Sequence, residues 1–215
     1  MIGFNQVPQL SSTRLIDLNK PLKIINREEG TRRAVLIGIN YVGKKNALPG
    51  CHNDVKNMMV YLKTKQGFKD ENITILMDDG KHTNPTYANI MNAYTKIVEE
   101  SVAGDTVFLH FSGHGAQILD QNGDEIDGYD ETLIPVDFEK AGHIVDDELN
   151  TKIVQNFRKG VLVTALMDSC HSGTVLDLPY YFNGEGGVDA MERLEQFVFT
   201  DIEPVKPKLC CFGRR

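Results

Sequence analysis

Paired cysteines, long apolar runs and excess positive charge are all scarce in this 215-residue sequence. Its four cysteines, Cys51, Cys170, Cys210 and Cys211, form no C-x-x-C pair and no framework spacing. That disfavours a disulfide scaffold or a structural zinc site and leaves Cys170 as the internal cysteine to be explained. No apolar run approaches the ~20 residues that cross a bilayer, and the opening MIGFNQVPQL lacks the basic-then-apolar layout of a signal peptide. The expectation is a chain without a membrane span, located in the cytoplasm. With 23 Lys+Arg against 30 Asp+Glu the net charge is −7, which repels phosphate backbones and favours cationic groups or metal ions, so nucleic acid is not an expected partner. Hydrophobic residues at 41% and charged residues at 25% suffice for one ordinary globular core.

What is present alternates strands with helices. Residues 34–39 (AVLIGI) are a continuous apolar run of strand length, the pattern of a buried parallel strand. Asn53 then precedes DVKNMMVYLKTKQGF, with apolar residues at helical spacing and Gly67 as its stop. Residues 73–77 form a second strand. Asn84-Pro85 opens a helix to Glu100 with Pro at its first position, and 105–112 (DTVFLHFS) is a third strand. A long polar segment follows, then a helix over 146–159 and a fourth strand over 161–168. Residues 1–30 and 179–215 read as a poorly periodic segment and a loop or arm, apart from a strand over 14–18 and a short helix near 190–197. Right-handed crossovers make such a chain a mostly parallel sheet with helices on both faces, and ligands then bind beyond the carboxyl ends of its strands.

Two strands end in chemically loaded segments: Ser112-Gly113-His114-Gly115 and Asp168-Ser169-Cys170-His171-Ser172-Gly173. If those strands are neighbours, an imidazole and a thiol emerge side by side. A thiol is mostly protonated at neutral pH and needs such a base to attack a carbonyl. The flanking glycines let a substrate backbone approach and free amide N–H groups for a developing oxyanion. Standing alone, Cys170 would read first as a small buried hydrophobe, and the paired strand ends reverse that reading. His171 is expected to point away and serve structure. His110 shares strand parity with His114, but the spacing lacks the helix and glutamate of a zinc protease. Asp168 and Asp54 are either solvated strand-end acids or a pair that selects Arg or Lys. The segment 120–131 (DQNGDEIDGYDE) holds six acids among twelve residues. It fails as an EF-hand because Glu125 stands where glycine is required. It is a solvated loop, or with Asp146, Asp147 and Asp177 it gathers the hard oxygens that suit Ca²⁺. No G-x-G-x-x-G or GKS/T loop follows any strand, which argues against a nucleotide-binding domain.

Together, SGHG at 112–115 and DSCHSG at 168–173, with GINYVGKKNALPGCHNDVKNM at 38–58 and DGYDETLIPVDFEKAGHIVDDEL at 127–149, resemble the metacaspases. The resemblance implies a caspase-like fold over 31–178, with His114 as general base, Cys170 as nucleophile, and the amides of Gly115 and Cys170 as oxyanion hole. It implies Asp54, Ser112 and Asp168 around a basic substrate residue, and Ca²⁺ held by Asp130, Asp146, Asp147 and Asp177. Cleavage after Asp is not implied, because the cysteine motif is not that of true caspases. Gly3 to Leu18 (GFNQVPQLSSTRLIDL) is similar to the end of a small-subunit-like portion, but it stands before the catalytic region, as in the permuted type III arrangement.

Most of that portion is missing, so a fragment or processed product, with a partner portion supplied from elsewhere, is expected. The ending Phe212-Gly213-Arg214-Arg215 is what self-cleavage after arginine would leave. Cys210-Cys211 beside the basic terminus is a weak acylation pattern. The expected activity is a calcium-activated endopeptidase acting on peptides or proteins with Arg or Lys. The rival is a non-catalytic, calcium-responsive scaffold on the same fold.

Overall fold

A computed structural model describes residues 30–119, 128–170, 175–176, 178, 180–181 and 192–193. Four parallel strands form the central sheet: β1 (Arg32–Gly38), β2 (Ile73–Met77), β3 (Thr106–Ser112) and, after the elements named below, β7 (Leu162–Asp168), in the order β2-β1-β3-β7. Two helices connect the first three, α1 (Cys51–Gln66) and α2 (Tyr87–Glu100). Because successive strand residues face opposite ways, Ala34 and Leu36 pack with Val55 and Leu62 of α1, whereas Val35 and Ile37 join Ile90, Tyr94 and Ile97 of α2. Strand β1 is apolar on both faces because helices cover both. The sheet is thus the caspase-like, mostly parallel α/β arrangement expected.

Local chemistry sets the helix ends. Gly67 closes α1 in the left-handed region, at φ 69°, its N–H donating to the Leu62 carbonyl. Helix α2 starts at Tyr87, later than expected. The Thr86 hydroxyl caps it by accepting from the Asn89 N–H at 3.3 Å, and Pro85, outside the helix, turns its carbonyl to the Val136 N–H at 3.0 Å. The helix expected over 146–159 stops at Lys152 as α4 (Asp146–Lys152) and continues as a 3₁₀ turn over Val154–Asn156. There Thr151, Ile153 and Val154 bring three β-branched side chains into one turn.

The polar stretch after β3 is not a loop throughout. Strands β4 (Gly115–Leu119), β5 (Tyr129–Leu133) and β6 (Ile144–Val145) form a second, antiparallel sheet in the order β4-β5-β6, with the short helix α3 (Phe138–Ala141) before β6. Its sequences, GAQIL and YDETL, are too short and polar to signal strands. Tyr180–Tyr181 (β8) and Glu192–Arg193 (β9) pair antiparallel, so 192–193 are extended where a helix was expected. Residues 1–29, including the strand expected at 14–18, and Asp177, His171, Cys210 and Cys211 lie outside the described residues.

Candidate active site

Strands β3 and β7 are hydrogen-bonded neighbours in register, with Ser112 opposite Asp168. The chain leaving each therefore departs from the same carboxyl rim. Gly113 N–H donates to the Asp168 carbonyl at 3.4 Å. Two residues on, a Cβ on Gly115 would sit 2.1 Å from the Cys170 carbonyl oxygen, so only glycine allows this backbone approach. Cys170 itself is exposed. The structure thus gathers Ser112, His114, Gly115, Asp168 and Cys170 at one rim.

His114 is held on three sides. Its Nε2 lies 2.7 Å from the Asn46 carbonyl. A carbonyl only accepts, so Nε2 carries the proton and Nδ1 is the lone-pair nitrogen of the neutral ring. Its backbone N–H donates to Tyr41 Oη at 2.9 Å, and the two rings lie 4.6 Å apart between centroids, tilted by 37°. Strand parity does not carry past Ser112, where β3 ends, so His110 and His114 do not share a side. His110 faces α1, and His114 meets the loop between β1 and α1.

The Gly115 amide is turned out of the antiparallel ladder for a topological reason. Ile134 N–H donates to the His114 carbonyl at 3.1 Å, which makes Gly115 and Leu133 a non-hydrogen-bonded pair of the antiparallel ladder. The Gly115 N–H accordingly points away from β5.

On the α1 side of the rim the acids meet. Asp54, in the first turn of α1, accepts from the Ser112 hydroxyl at 2.9 Å. Asp54 and Asp168 flank the mouth of a cavity of about 300 Å³ that reaches down to His110 and Leu166 and is walled by Met58 and Tyr61 of α1. Burial pushes His110 down to about 4, so it is neutral at physiological pH, and its buried Nδ1 has no hydrogen-bond partner among the described residues. Cys51 also belongs here and was not singled out in the sequence, where Cys170 stood as the internal cysteine. Cys51 is buried beside Ser112, and burial pushes its thiol up, with Asp54 and Asp168 adding to the effect. Such a thiol is no nucleophile.

A second acidic group lies where β5 meets α4. Asp130, Glu131 and Asp146 are all buried. The Asp146 carboxylate accepts from the Glu131 N–H at 2.6 Å and the Asp147 N–H at 2.9 Å. Burial, joined by the nearby charges of Asp130 and Glu131, nevertheless pushes Asp146 up to about 7. Among the described residues no three His, Cys, Asp or Glu side chains converge as a metal cage, and Asp177 is not among them. Those present, buried carboxylates crowding one another, are hard oxygen donors of the kind Ca²⁺ accepts. No described helix is long and apolar enough to cross a membrane.

A caspase-like α/β sheet with a thiol and an imidazole leaving adjacent strands at one rim defines the class of protein. Residues 32–179 match the family described as "Metacaspase, peptidase C14 domain". The chain is 55% identical over 203 residues to "Metacaspase III c" of Phaeodactylum tricornutum, an alignment covering 93% of this chain and 60% of that protein. It is 51% identical over 159 residues to "Metacaspase-1B" of Aspergillus fumigatus, covering 73% of this chain and 39% of that one. A crystal structure of protein GSU0716 from Geobacter sulfurreducens aligns with a TM-score of 0.52 at 34% identity, over 68% of this chain and 53% of that one. The chain belongs to the metacaspase family of cysteine peptidases. It spans less than two thirds of the length of these curated relatives.

Proposed function

We propose that this chain carries the catalytic region of a calcium-activated cysteine endopeptidase that cleaves after Arg or Lys. The observation that supports this most is the departure of the His114 and Cys170 segments from neighbouring parallel strands at one rim, with the His114 ring oriented by the Asn46 carbonyl. In this reading the Cys170 thiol gives its proton to Nδ1 of His114, and the thiolate attacks the scissile carbonyl. The Gly115 and Cys170 N–H groups receive the oxyanion. The imidazolium then protonates the leaving amine, and water, deprotonated by the same nitrogen, hydrolyses the thioester. Asp54 and Asp168, with Ser112 between them, give the substrate's cationic side chain two carboxylates and a hydroxyl.

Asp130, Asp146 and Asp147, with Asp177, would hold Ca²⁺, which supplies charge neutralisation to an acidic cluster away from the thiol and no Lewis-acid chemistry at the scissile bond. A small-subunit-like portion supplied from elsewhere is the expected protein partner, and self-processing after Arg is the expected companion of the activity.

The deciding experiment is hydrolysis of an Arg-terminated reporter peptide and its Asp analogue, with and without calcium, against Cys170→Ala. Turnover of the Arg peptide alone, rising with calcium and absent in the variant, supports the reading. Calcium-independent turnover removes the metal from it. Calcium binding without any turnover favours the scaffold alternative. Appearance of the same Arg-ended product from a longer precursor carrying Cys170→Ala excludes self-cleavage.

A further inference from the structure

A ring of three hydrogen bonds encloses the peptide of the proposed base. His114 N–H donates to Tyr41 Oη at 2.9 Å, Tyr41 O–H donates to the Ile134 carbonyl at 2.7 Å, and Ile134 N–H returns to the His114 carbonyl at 3.1 Å. One phenol hydroxyl thus joins the loop after β1, the start of β4 and the end of β5. Tyr41 is 2% exposed, so water does not compete for its hydroxyl.

The backbone of Tyr41 is held at φ 51°. For a bulky aromatic residue the left-handed region is strained and persists only where neighbours over-determine it. Here they do. Asp78, just beyond β2, accepts the N–H groups on either side of Tyr41, from Asn40 at 2.8 Å and from Val42 at 2.9 Å. His52 Nε2 sits 2.6 Å from the same carboxylate, and the Asn40 side chain accepts the His52 N–H at 3.2 Å. The same loop runs on to Asn46, whose carbonyl receives the His114 Nε2–H. Asp78, His52 and Tyr41 therefore hold the backbone at His114, and Asn46 of the same loop holds its ring.

We propose that Tyr41, kept in its strained conformation by Asp78, is the positioning residue that sets the orientation of His114 toward Cys170. The inference rests on the peptidase reading, so its test includes a readout that needs no turnover. In the full chain, Tyr41→Phe keeps the ring and removes the hydroxyl. Alkylation of Cys170 by iodoacetamide, followed by peptide mass spectrometry, is expected to slow about 5–10-fold at pH 7 and to match the wild type at pH 9, where a thiol ionises unaided. If the chain hydrolyses the Arg reporter, kcat is expected to fall about 10–100-fold with KM within threefold, the signature of a misplaced base. Asp78→Asn retains one acceptor for the two N–H groups and should move both readouts the same way by less.

Unchanged Cys170 alkylation at pH 7 in Tyr41→Phe overturns the proposal, as does a variant that only melts earlier. Should Tyr41→Phe not fold, unchanged alkylation in Asp78→Asn overturns it instead. A slowed alkylation in a chain that hydrolyses no peptide upholds the positioning role and sinks the peptidase reading alone.

Discussion

The two faces of the parallel sheet are built to different standards. On the α2 side, Val35, Ile37, Leu109, Phe111, Val163, Ala165 and Met167 are all buried in one apolar cluster. On the α1 side the apolar cluster comes from β1, β2, α1 and Phe68, with Phe108 of β3 packed against it, while further along β3 and β7 present His110, Leu166, Ser112 and Asp168 around an open cavity and the rim. Identical backbone geometry serves both faces, so the difference lies in the side chains. The closed face makes the sheet rigid, and that rigidity lets the other face hold a neutral imidazole, a protonated thiol and carboxylates. Each of those buried polar groups costs stability that apolar packing must offset.

Substitutions can test this division, beginning with the strongest. Phe111→Ala on the closed face empties a fully buried ring site and is expected to cost about 3–5 kcal/mol in urea unfolding. A loss below 1 kcal/mol would mean that face is not the keystone. Asp54→Asn on the open face removes a charge facing the cavity mouth. Reporter kinetics should show about a 100-fold lower kcat/KM for the Arg peptide, with Tm nearly unchanged.

The opposite end of the sheet supplies a control. Burial alone would raise the Asp105 carboxyl, but the N–H groups of Val102 and Thr31 and the Arg33 guanidinium at 2.5 Å hold it below its ordinary value. A carboxyl lowered on folding stabilises the protein above its ordinary titration range, and that contribution is lost as pH falls through the folded value. Asp105→Asn should therefore cost about 1.5–3 kcal/mol at pH 7, and the gap to the wild type should close in acid. A gap that stays constant to pH 3 would show that the pairing is not the cause. The smallest change is expected from His110→Leu, which removes a buried nitrogen without a partner among the described residues and should shift stability by under about 1 kcal/mol. A large loss would mean that His110 carries structural weight on the open face.

Much of this was readable before any coordinates. Continuous apolar runs such as AVLIGI announce doubly covered strands, and Gly67 announces a helix end, because burial and backbone strain act locally. Neighbouring strands place Gly113 and Gly115 beside Asp168 and Cys170, a juxtaposition that the βαβ pattern and the two glycine-rich strand ends anticipate. The antiparallel ribbon was hidden because YDETL owes its extended form to pairing with GAQIL, a nonlocal cause. Cys51 was passed over because sequence places it far from Ser112, although Gly38 signals a close approach: a Cβ there would meet the Cys51 carbonyl and the Val55 side chain at 2.7 Å each. Tyr41 carries no motif that foretells its hydroxyl's partners, which lie just before β4 and just after β5.

The pairing of Thr106 with Leu162, and of the residues that follow, has a temporal side. Every other partnership of the parallel sheet can form before the last strand is synthesised, and β7 joins across a long stretch of intervening chain, the slow kind of contact. The segments that carry Cys170 and His114 reach one rim only at that closing event. Under the proposed function, a nascent or half-folded chain is thus chemically silent, its cutting apparatus armed by the completion of folding itself.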